Sequence, residues 1–426
     1  MARDFPPTSQ RLDELRLMGD PEADDFVREH FKPETVRPLM EALVERREVA
    51  RYDVFRLSED EPQDIAINLQ DLFDDTAATM PDVTENDIEI AQDLFSQYGP
   101  EILMILGCYC LPAAYSARKG VQVLATTKFL RLEPDRRLAE TAQIIVDVMS
   151  EGLALGEGGR EAAERTRLIH AAIRRLVSED PNFDATEVGV PINQEDLAAT
   201  LMTFSYLVLD GLDKMNMRVT PRQQEAYIDT WRQLGRLLGV EEELLPDDFA
   251  EAERLTETIQ ERQIKASPEG IQLLNILIKT LEAKTFDGLP SVMMRLFLPA
   301  DVADGMEIPR NALPLIPDWA VHGMIKTVGY VDSWFLGILG KRSMILRDVS
   351  LDLLEGVMGW QLSNRGSKPK FVLPDSLDWY QERDGQKREK ASRILLDTAL
   401  AGAKQGADAR RKRAKTRDRR KEQTGG

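Results

Sequence analysis

The sequence predicts an all-α protein, and two observations carry that prediction. Apolar residues recur at positions i, i+3, i+4 and i+7 along most of the chain, which is the pattern of amphipathic helices. Strictly alternating apolar and polar runs are missing, and so are Asn-Gly or Asp-Gly turns between β-branched runs. We therefore expect a large helical domain without a β-sheet.

Six segments show the helical period, and residues that start or stop helices mark several of their ends. Pro134, Pro221 and Pro268 fall near helix starts, and Gly239 falls near a helix end. In chain order the segments are TVRPLMEALVERREVA, NDIEIAQDLFSQYG, DRRLAETAQIIVDVMSEGL, QEDLAATLMTFSYLVLDGLDKM, PRQQEAYIDTWRQLGRLLG and PEGIQLLNILIKTLEAKT.

Prolines and cysteines indicate what the other parts of the chain do. Five prolines between residues 290 and 317 predict a loop with short helical pieces, and WAVHGMIKTVGYVDSWFLGILG then predicts one more apolar helix. The uncharged stretch 102–117 is shorter than the roughly 20 residues of a membrane span, so it predicts a buried helix. Cys108 and Cys110 would point about 200° apart on a helix, which predicts two buried thiols.

Charge and composition limit the function classes. The chain of 426 residues carries a net charge of −18, which argues against nucleic-acid binding by its body. The N-terminus shows no secretory signal, so we expect a cytoplasmic protein. We expect an N-terminal extension at 1–35, the main helical domain at 36–365, a C-terminal extension at 366–401 and a disordered tail at 402–426.

The tail is basic, unlike the rest of the chain. It holds ten Lys or Arg and three Asp or Glu, and no apolar residue larger than Ala. Such a segment cannot pack a core, so disorder is expected. The simplest interpretation is a solubilising tail attracted to the acidic body, and contact with RNA or with an anionic membrane surface are alternatives.

The segment RTRLIHAAIRR is the first candidate site. On a helix, His170 lies at the boundary between an apolar face with Ile169 and Ile173 and an edge that carries Arg167 and Arg174. An apolar slot with two guanidinium groups at its rim suits heme b, whose iron binds an imidazole and whose propionates pair with arginine. The alternative is a satisfied core histidine with no ligand role.

The segment PDRRLAETAQIIVDVM is the second. Arg137 and Thr141 share a face with an apolar stripe, and Glu140 lies beside them. Two helices of this kind could enclose one flat cofactor. The alternative is that Arg137 and Glu140 form a solvated helix start.

These motifs, in their order along the chain, resemble the rubber oxygenases (latex clearing proteins) and the wider MpaB-type oxygenase family. The resemblance runs over roughly residues 10–365. It includes LRLMGDPEADDF, RRLAETAQIIVDVM, RTRLIHAAIRRL, GVPINQEDLAATLMTFSYLVLDGL and VTPRQQEAYIDTWRQLGRLLGV, and more weakly MMRLFLPADVADGMEIP.

The resemblance implies a globin-like helical core around heme b, with His170 as the proximal iron ligand flanked by Arg167 and Arg174. It places the helix with Arg137 and Thr141 over the distal face. It implies oxidative cleavage of an isoprenoid carbon–carbon double bond by dioxygen, which gives two carbonyl ends.

The sequence departs from the rubber-cleaving pattern in two informative places. Those enzymes have a lysine just before the distal threonine, where this chain has Glu140, and their distal glutamate base has no counterpart that we can place. We expect Glu140 to act as a base, or else to pair with an arginine. Without an export signal, a small isoprenoid or another unsaturated lipid is a more plausible substrate than polyisoprene. A heme-binding gas or redox sensor and a helical interaction protein without a cofactor are the alternatives to an oxygenase.

Overall fold

The structure is a computed structural model that describes residues 5–30, 85–127, 134–153, 158–283, 287–310, 312 and 317–339. In these ranges the regular elements are helices, apart from one isolated bridge between Ala117 and Ile264. The predicted all-α fold class is confirmed. The predicted helix TVRPLMEALVERREVA, the extension at 366–401 and the basic tail lie outside the described residues.

The first half of the described chain contains the helices that carry the candidate site. They are α1 (Ser9–Leu15), α2 (Pro21–His30), α3 (Glu85–Ile105), a π-helical turn (Leu106–Cys110), α4 (Leu111–Ser116), α5 (Val121–Thr127), α6 (Pro134–Glu151), α7 (Gly158–Ser178) and α8 (Ala185–Val188).

The second half packs around them. Its helices are α9 (Gln194–Phe204), α10 (Tyr206–Lys214), α11 (Pro221–Leu237), a 3-10 turn (Glu242–Leu244), α12 (Phe249–Gln263), α13 (Pro268–Glu282), α14 (Leu289–Phe297), α15 (Ala300–Gly305) and α16 (Asp318–Leu339). The short α14 and α15 confirm the short helical pieces predicted among the five prolines. The long α16 confirms the apolar helix predicted after them. None of the described helices is both long enough and apolar enough to cross a bilayer.

Helix boundaries follow the predicted signals closely. α6, α11 and α13 begin at Pro134, Pro221 and Pro268, where a missing N–H leaves no helical bond unmade. Thr220 caps α11 by accepting a hydrogen bond from the Gln223 amide. α11 ends before Gly239, whose φ of +76° lies in the left-handed region that glycine adopts readily.

One predicted helix is two helices in the structure. The segment QEDLAATLMTFSYLVLDGLDKM is interrupted at Ser205, which has φ −105° and ψ −78° and separates α9 from α10. The Ser205 hydroxyl donates a 2.7 Å hydrogen bond to the Leu201 carbonyl. A serine hydroxyl that bonds back to the preceding turn commonly bends or ends a helix. The apolar periodicity continues through the break at Ser205, so the sequence pattern does not reveal that the helix is interrupted there.

The apolar stretch 102–117 is a buried helix, as predicted, with a π-helical turn inserted in it. The Leu111 amide bonds to the Leu106 carbonyl, five residues earlier. Pro112 follows at once; it has no amide to donate, and its ring would clash in a regular helix interior. The wider turn accommodates it. Cys108 and Cys110 are both buried and form no disulfide, and burial raises the pKa of the Cys108 thiol to about 12.

Candidate functional site

Helix α7 carries His170 and is buried around most of its circumference. Ile169 and Ile173 are buried on the apolar side, and Arg167 and Arg174 are each only 4% exposed on the charged side. His170 is half-buried, and its Nδ1 atom is fully buried. Both sides of the predicted boundary are therefore inside the protein, and the arginine edge is not a solvated rim.

Helix α6 packs along the His170 side of α7. A Cβ built on Gly159 would lie 2.7 Å from the Val148 Cα, so the two backbones touch there. Gly159 and His170 are eleven residues apart and therefore on the same side of α7. Thr141 is seven residues before Val148 and shares its side of α6. The touching sides thus carry Thr141 on one helix and His170 on the other.

The register of this pair brings the two predicted motifs to one level. α6 and α7 are in contact and joined by a short connection, so they run antiparallel. Counting 1.5 Å per residue from the Gly159–Val148 contact places His170 beside the first turns of α6. Arg137 and Glu140 belong to these turns, and the half-buried Thr141 follows them. The side chains of Arg137 and Glu140 lie outside the described part of the chain.

Arg167 is held by carboxylates of the protein itself. Its Nε donates to Asp20 Oδ2 at 2.5 Å, and its Nη2 donates to Asp20 Oδ1 at 2.8 Å and to Glu22 Oε2 at 2.9 Å. Asp20 is 3% exposed. Burial alone lowers the pKa of Arg167, but these two carboxylates outweigh it, and the pKa is raised. Arg167 therefore stays charged and fixed to the start of α2.

Arg174 is held in a similar way, seven residues further along α7. Its Nη1 donates to Asp24 Oδ1. Its Nε donates to the Pro191 carbonyl at 3.0 Å, and its Nη2 donates to the Ile192 carbonyl at 2.9 Å. Ile192 has a φ of +52°, a strained conformation for a β-branched residue. Burial raises the pKa of Asp24 more than Arg174 lowers it.

Gln194 joins the segments that surround the two arginines. Its Nε2 donates to the Gly19 carbonyl at 2.7 Å and to the Gly239 carbonyl at 2.9 Å, and its Oε1 accepts from the Glu241 amide. Gln194 is fully buried. The segments LRLMGDPEADDF and PINQED, which the sequence singles out without a role, thus meet the arginine motif of α7 in one buried polar cluster.

A second buried network lies beside this cluster. Glu195 is 0% exposed, and it accepts from Arg16 Nη1 at 3.0 Å, from Arg262 Nε at 2.8 Å and from Gln263 Nε2 at 2.9 Å. Arg16 also donates to Asp196 Oδ1 at 2.9 Å. These bonds tie α1, α9 and α12 together. The boundary expected at residue 35 stays a prediction, but residues 5–30 are packed firmly on the domain.

Residues 94–328 match the family model described as "ER-bound oxygenase mpaB/B'/Rubber oxygenase, catalytic domain". The match covers more than half of the chain. The chain belongs to this family. The matched range includes α6 and α7 with all six predicted site residues, whereas the segment with Asp20 and Asp24 lies outside this range. The predicted resemblance to the rubber oxygenase and MpaB-type family is confirmed.

Two relatives describe how far the similarity extends. The rubber oxygenase of Streptomyces sp. (strain K30) is 28% identical over 145 residues, which are 33% of this chain and 36% of that protein. The match thus spans about a third of that relative's length. A latex clearing protein structure in the closed state superposes with a TM-score of 0.63 and 20% identity, and the alignment covers 81% of this chain and 91% of that one. This similarity supports the shared fold.

Family membership leaves the roles of the site residues as predictions. The assignment of His170 to iron, of Arg167 and Arg174 to propionates, and of Arg137, Glu140 and Thr141 to the distal side each stays a prediction. So does the globin-like arrangement. Within the described ranges, no group of three or more His, Cys, Asp or Glu residues comes together as a metal site.

Sequence reasoning missed the carboxylate partners of the arginines. Asp20 and Asp24 are four residues apart at the start of α2, a spacing that is common on helix surfaces. The signal in the sequence was the similarity of LRLMGDPEADDF to the family, which gave no role. It also missed a cluster at the π-helical turn, where Lys214 Nζ donates to Tyr109 Oη at 2.8 Å and to Asp210 Oδ2 at 2.6 Å.

Proposed function

We propose that this protein is a heme b-dependent oxygenase that acts on an apolar alkene, and that His170 ligates the iron. The observation that carries the proposal is the position of His170. It lies on a buried helix, beside the first turns of the facing helix and about one turn from Thr141, within the residues that match an oxygenase catalytic domain. The family alone supports an oxygenase, and the heme, the reaction and the substrate are the proposed part.

The residues around His170 suit this cofactor. On the same side of α7 its neighbours include Ala163, Ile173 and Val177, which are small or apolar, while Arg167 and Arg174 lie along one edge of that side. A macrocycle with an apolar face needs such a surface, and a neutral imidazole is a usual protein ligand for its iron. No carboxylate is on this side to compete for the metal. We therefore infer that the chain's own residues fit heme b.

The chain's residues have separate tasks in the proposed mechanism. When bound, heme supplies an iron centre that activates dioxygen. His170 holds the group from α7, while the apolar side chains beside it exclude water and favour an apolar substrate. On the facing helix, the Thr141 hydroxyl can donate a hydrogen bond to dioxygen. Glu140 is proposed to accept a proton from the carbon next to the double bond and to return it as the two carbonyl groups form, and Arg137 to complete this polar cluster.

The proposed reaction is oxidative cleavage of a carbon–carbon double bond. The two oxygen atoms of dioxygen enter the two new carbonyl groups as the double bond breaks, so no external reductant is required. We propose a small isoprenoid or another unsaturated lipid as the substrate.

Dioxygen consumption tests this proposal. Heme-loaded protein mixed with a short isoprenoid should consume dioxygen in proportion to the carbonyl products, and mass spectrometry should find the oxygen label from ¹⁸O₂ in both product ends. A saturated analogue of the same length is the control. If the loaded protein binds heme but oxidises no member of a panel of isoprenoids and unsaturated lipids, a gas or redox sensor becomes the better account.

Changing Glu140 should separate its two proposed roles. Glu140→Gln is expected to keep heme and lose most turnover, because the amide cannot accept the proton. Glu140→Lys is expected to shift the spectrum toward a six-coordinate low-spin form, because a neutral amine binds iron better than a carboxylate does. Glu179→Gln, at the exposed end of α7, is the control. Normal turnover in the Glu140→Gln variant would remove Glu140 from the mechanism.

A further inference from the structure

We propose that Asp20 and Asp24 are positioning residues that set the orientation of His170, acting through Arg167 and Arg174. This inference rests on the proposed function, because the orientation of the His170 ring matters for function only if that ring ligates the iron. It assigns a role in the site to the N-terminal segment, which lies outside the matched residues 94–328.

The two arginines are placed so that they fix α7 on both sides of His170. Arg167 is three residues before His170 and Arg174 is four residues after it, and both lie within about 60° of His170 around the helix. They are separated by about 10 Å along the axis. One anchor would leave the helix free to turn or slide about it. Two anchors that straddle His170 restrict both motions.

The two carboxylates that bind these arginines are themselves held in place. Asp20 accepts two hydrogen bonds from Arg167, and its Oδ1 also accepts from the Ala23 amide at 3.3 Å as the cap of α2. Asp24 binds Arg174 through Oδ1, and its Oδ2 accepts from the Asp20 amide at 3.2 Å. The first turn of α2 therefore forms a rigid double acceptor for α7.

The surrounding backbone leaves the arginines little room to move. A Cβ on Gly239 would lie 2.2 Å from Asp20 Oδ2 and 2.7 Å from Arg167 Nε, and a Cβ on Gly19 would lie 2.7 Å from Arg174 Nε. Only glycine fits at these two positions without displacing a side chain. The two glycine carbonyls are both held by Gln194. Close glycine backbone thus encloses both ion pairs.

Orientation explains the use of charge better than stability does. A buried ion pair carries a large desolvation cost, and well-packed apolar residues often stabilise a fold as well or better. What Asp20 adds is geometry, since its bidentate contact with the Arg167 guanidinium fixes direction as well as distance. Asp24 holds one end of the Arg174 guanidinium, whose other nitrogens donate to two backbone carbonyls. Two such costly pairs beside the one described histidine of α7 therefore favour a positioning role.

Isosteric variants test the inference. Asp20→Asn and Asp24→Asn remove the charge with little change of shape. Because Asp24 is 27% exposed, Asp24→Asn should disturb the fold less than Asp20→Asn does and is expected to give a folded protein. Asp25→Asn on the same helix, at 61% exposure, is the matched control. Leu255→Ala removes a fully buried side chain in α12, which is not among the helices that pack extensively against α7, and so controls for general loss of stability.

The first readout needs no heme. The chain has three histidines, so the His170 ring signals can be assigned by NMR of ¹⁵N-histidine-labelled protein, with a His170→Gln sample for reference. We expect the His170 signals to move in the Asp20→Asn and Asp24→Asn proteins, while they stay unchanged in the two controls. Unchanged signals in both Asp variants, or an equal change in Leu255→Ala, would overturn the inference.

The second readout uses the loaded protein. Heme dissociation should be about tenfold faster in each Asp variant, which corresponds to about 1.4 kcal/mol, and less than about twofold faster in the controls. Equal dissociation rates in all variants would contradict the positioning role. If wild-type protein takes up no heme, the proposed function fails, while the NMR comparison still decides whether Asp20 and Asp24 orient His170.

Discussion

Replacing His170 by alanine is expected to give a folded protein that retains little or no heme. The residue is half-buried on α7 and packs beside α6, so the loss of its ring should leave the helical content similar. Without the imidazole, the chain would lack the side chain proposed to hold the iron. Heme content per chain, measured from the absorption spectrum of purified protein, checks this, and far-ultraviolet circular dichroism checks the fold.

A second histidine supplies the matched control for this experiment. His322 is half-buried on α16, and its Nε2 donates to the Val292 carbonyl at 2.9 Å. His322→Ala should therefore keep heme. Arg167→Ala and Arg174→Ala should weaken heme retention less than His170→Ala does, because the iron bond stays intact. Full heme occupancy in His170→Ala, with an unchanged spectrum, would assign the ligand to another residue.

Removing the Glu195 side chain is expected to cause the largest loss of stability. Its carboxylate is fully buried and accepts from Arg16, Arg262 and Gln263. Glu195→Ala leaves the buried Arg16 guanidinium with less compensation and loosens α1 from α9 and α12. Breaking a buried pair in this way costs about 3–5 kcal/mol. The free energy of unfolding from urea titration measures the effect.

An exposed ion pair in the same region gives the comparison. The Glu243 carboxylate accepts from Arg11 Nε with both oxygens and from Nη2 with Oε1, and the Glu243 and Arg11 side chains are 38% and 43% exposed. Glu243→Ala should cost much less stability than Glu195→Ala, because water solvates both partners. A loss of stability in Glu195→Ala as small as that in Glu243→Ala would show that the buried network contributes little.

Much of the fold was predictable because the signals are local. A proline at a helix start and the apolar period of a helix both act within one or two turns of the chain. Accordingly, α6, α11 and α13 begin at Pro134, Pro221 and Pro268, as predicted. The break at Ser205 and the π-helical turn before Pro112 were not predicted. Each depends on which of several neighbouring carbonyls a backbone or hydroxyl group selects, and hydrophobic periodicity does not record that choice.

The candidate site was predictable in part for the same reason. Helical spacing alone places His170 between an apolar face and the two arginines, as the structure has it. Spacing cannot identify the partners of Arg167 and Arg174, because Asp20 and Asp24 are 147 and 150 residues away in the chain. From the sequence, the two arginines were expected at the rim of a cofactor slot. In the structure they are buried and bind carboxylates of the N-terminal segment.

A titration of heme-free, full-length protein with hemin tests whether the chain binds heme through His170. We expect saturable binding at one heme per chain, with an intense Soret band, and pyridine extraction should identify heme b. The His170→Ala variant should show no such saturation under the same conditions. A wild-type protein that binds hemin no better than His170→Ala does would contradict the proposed function.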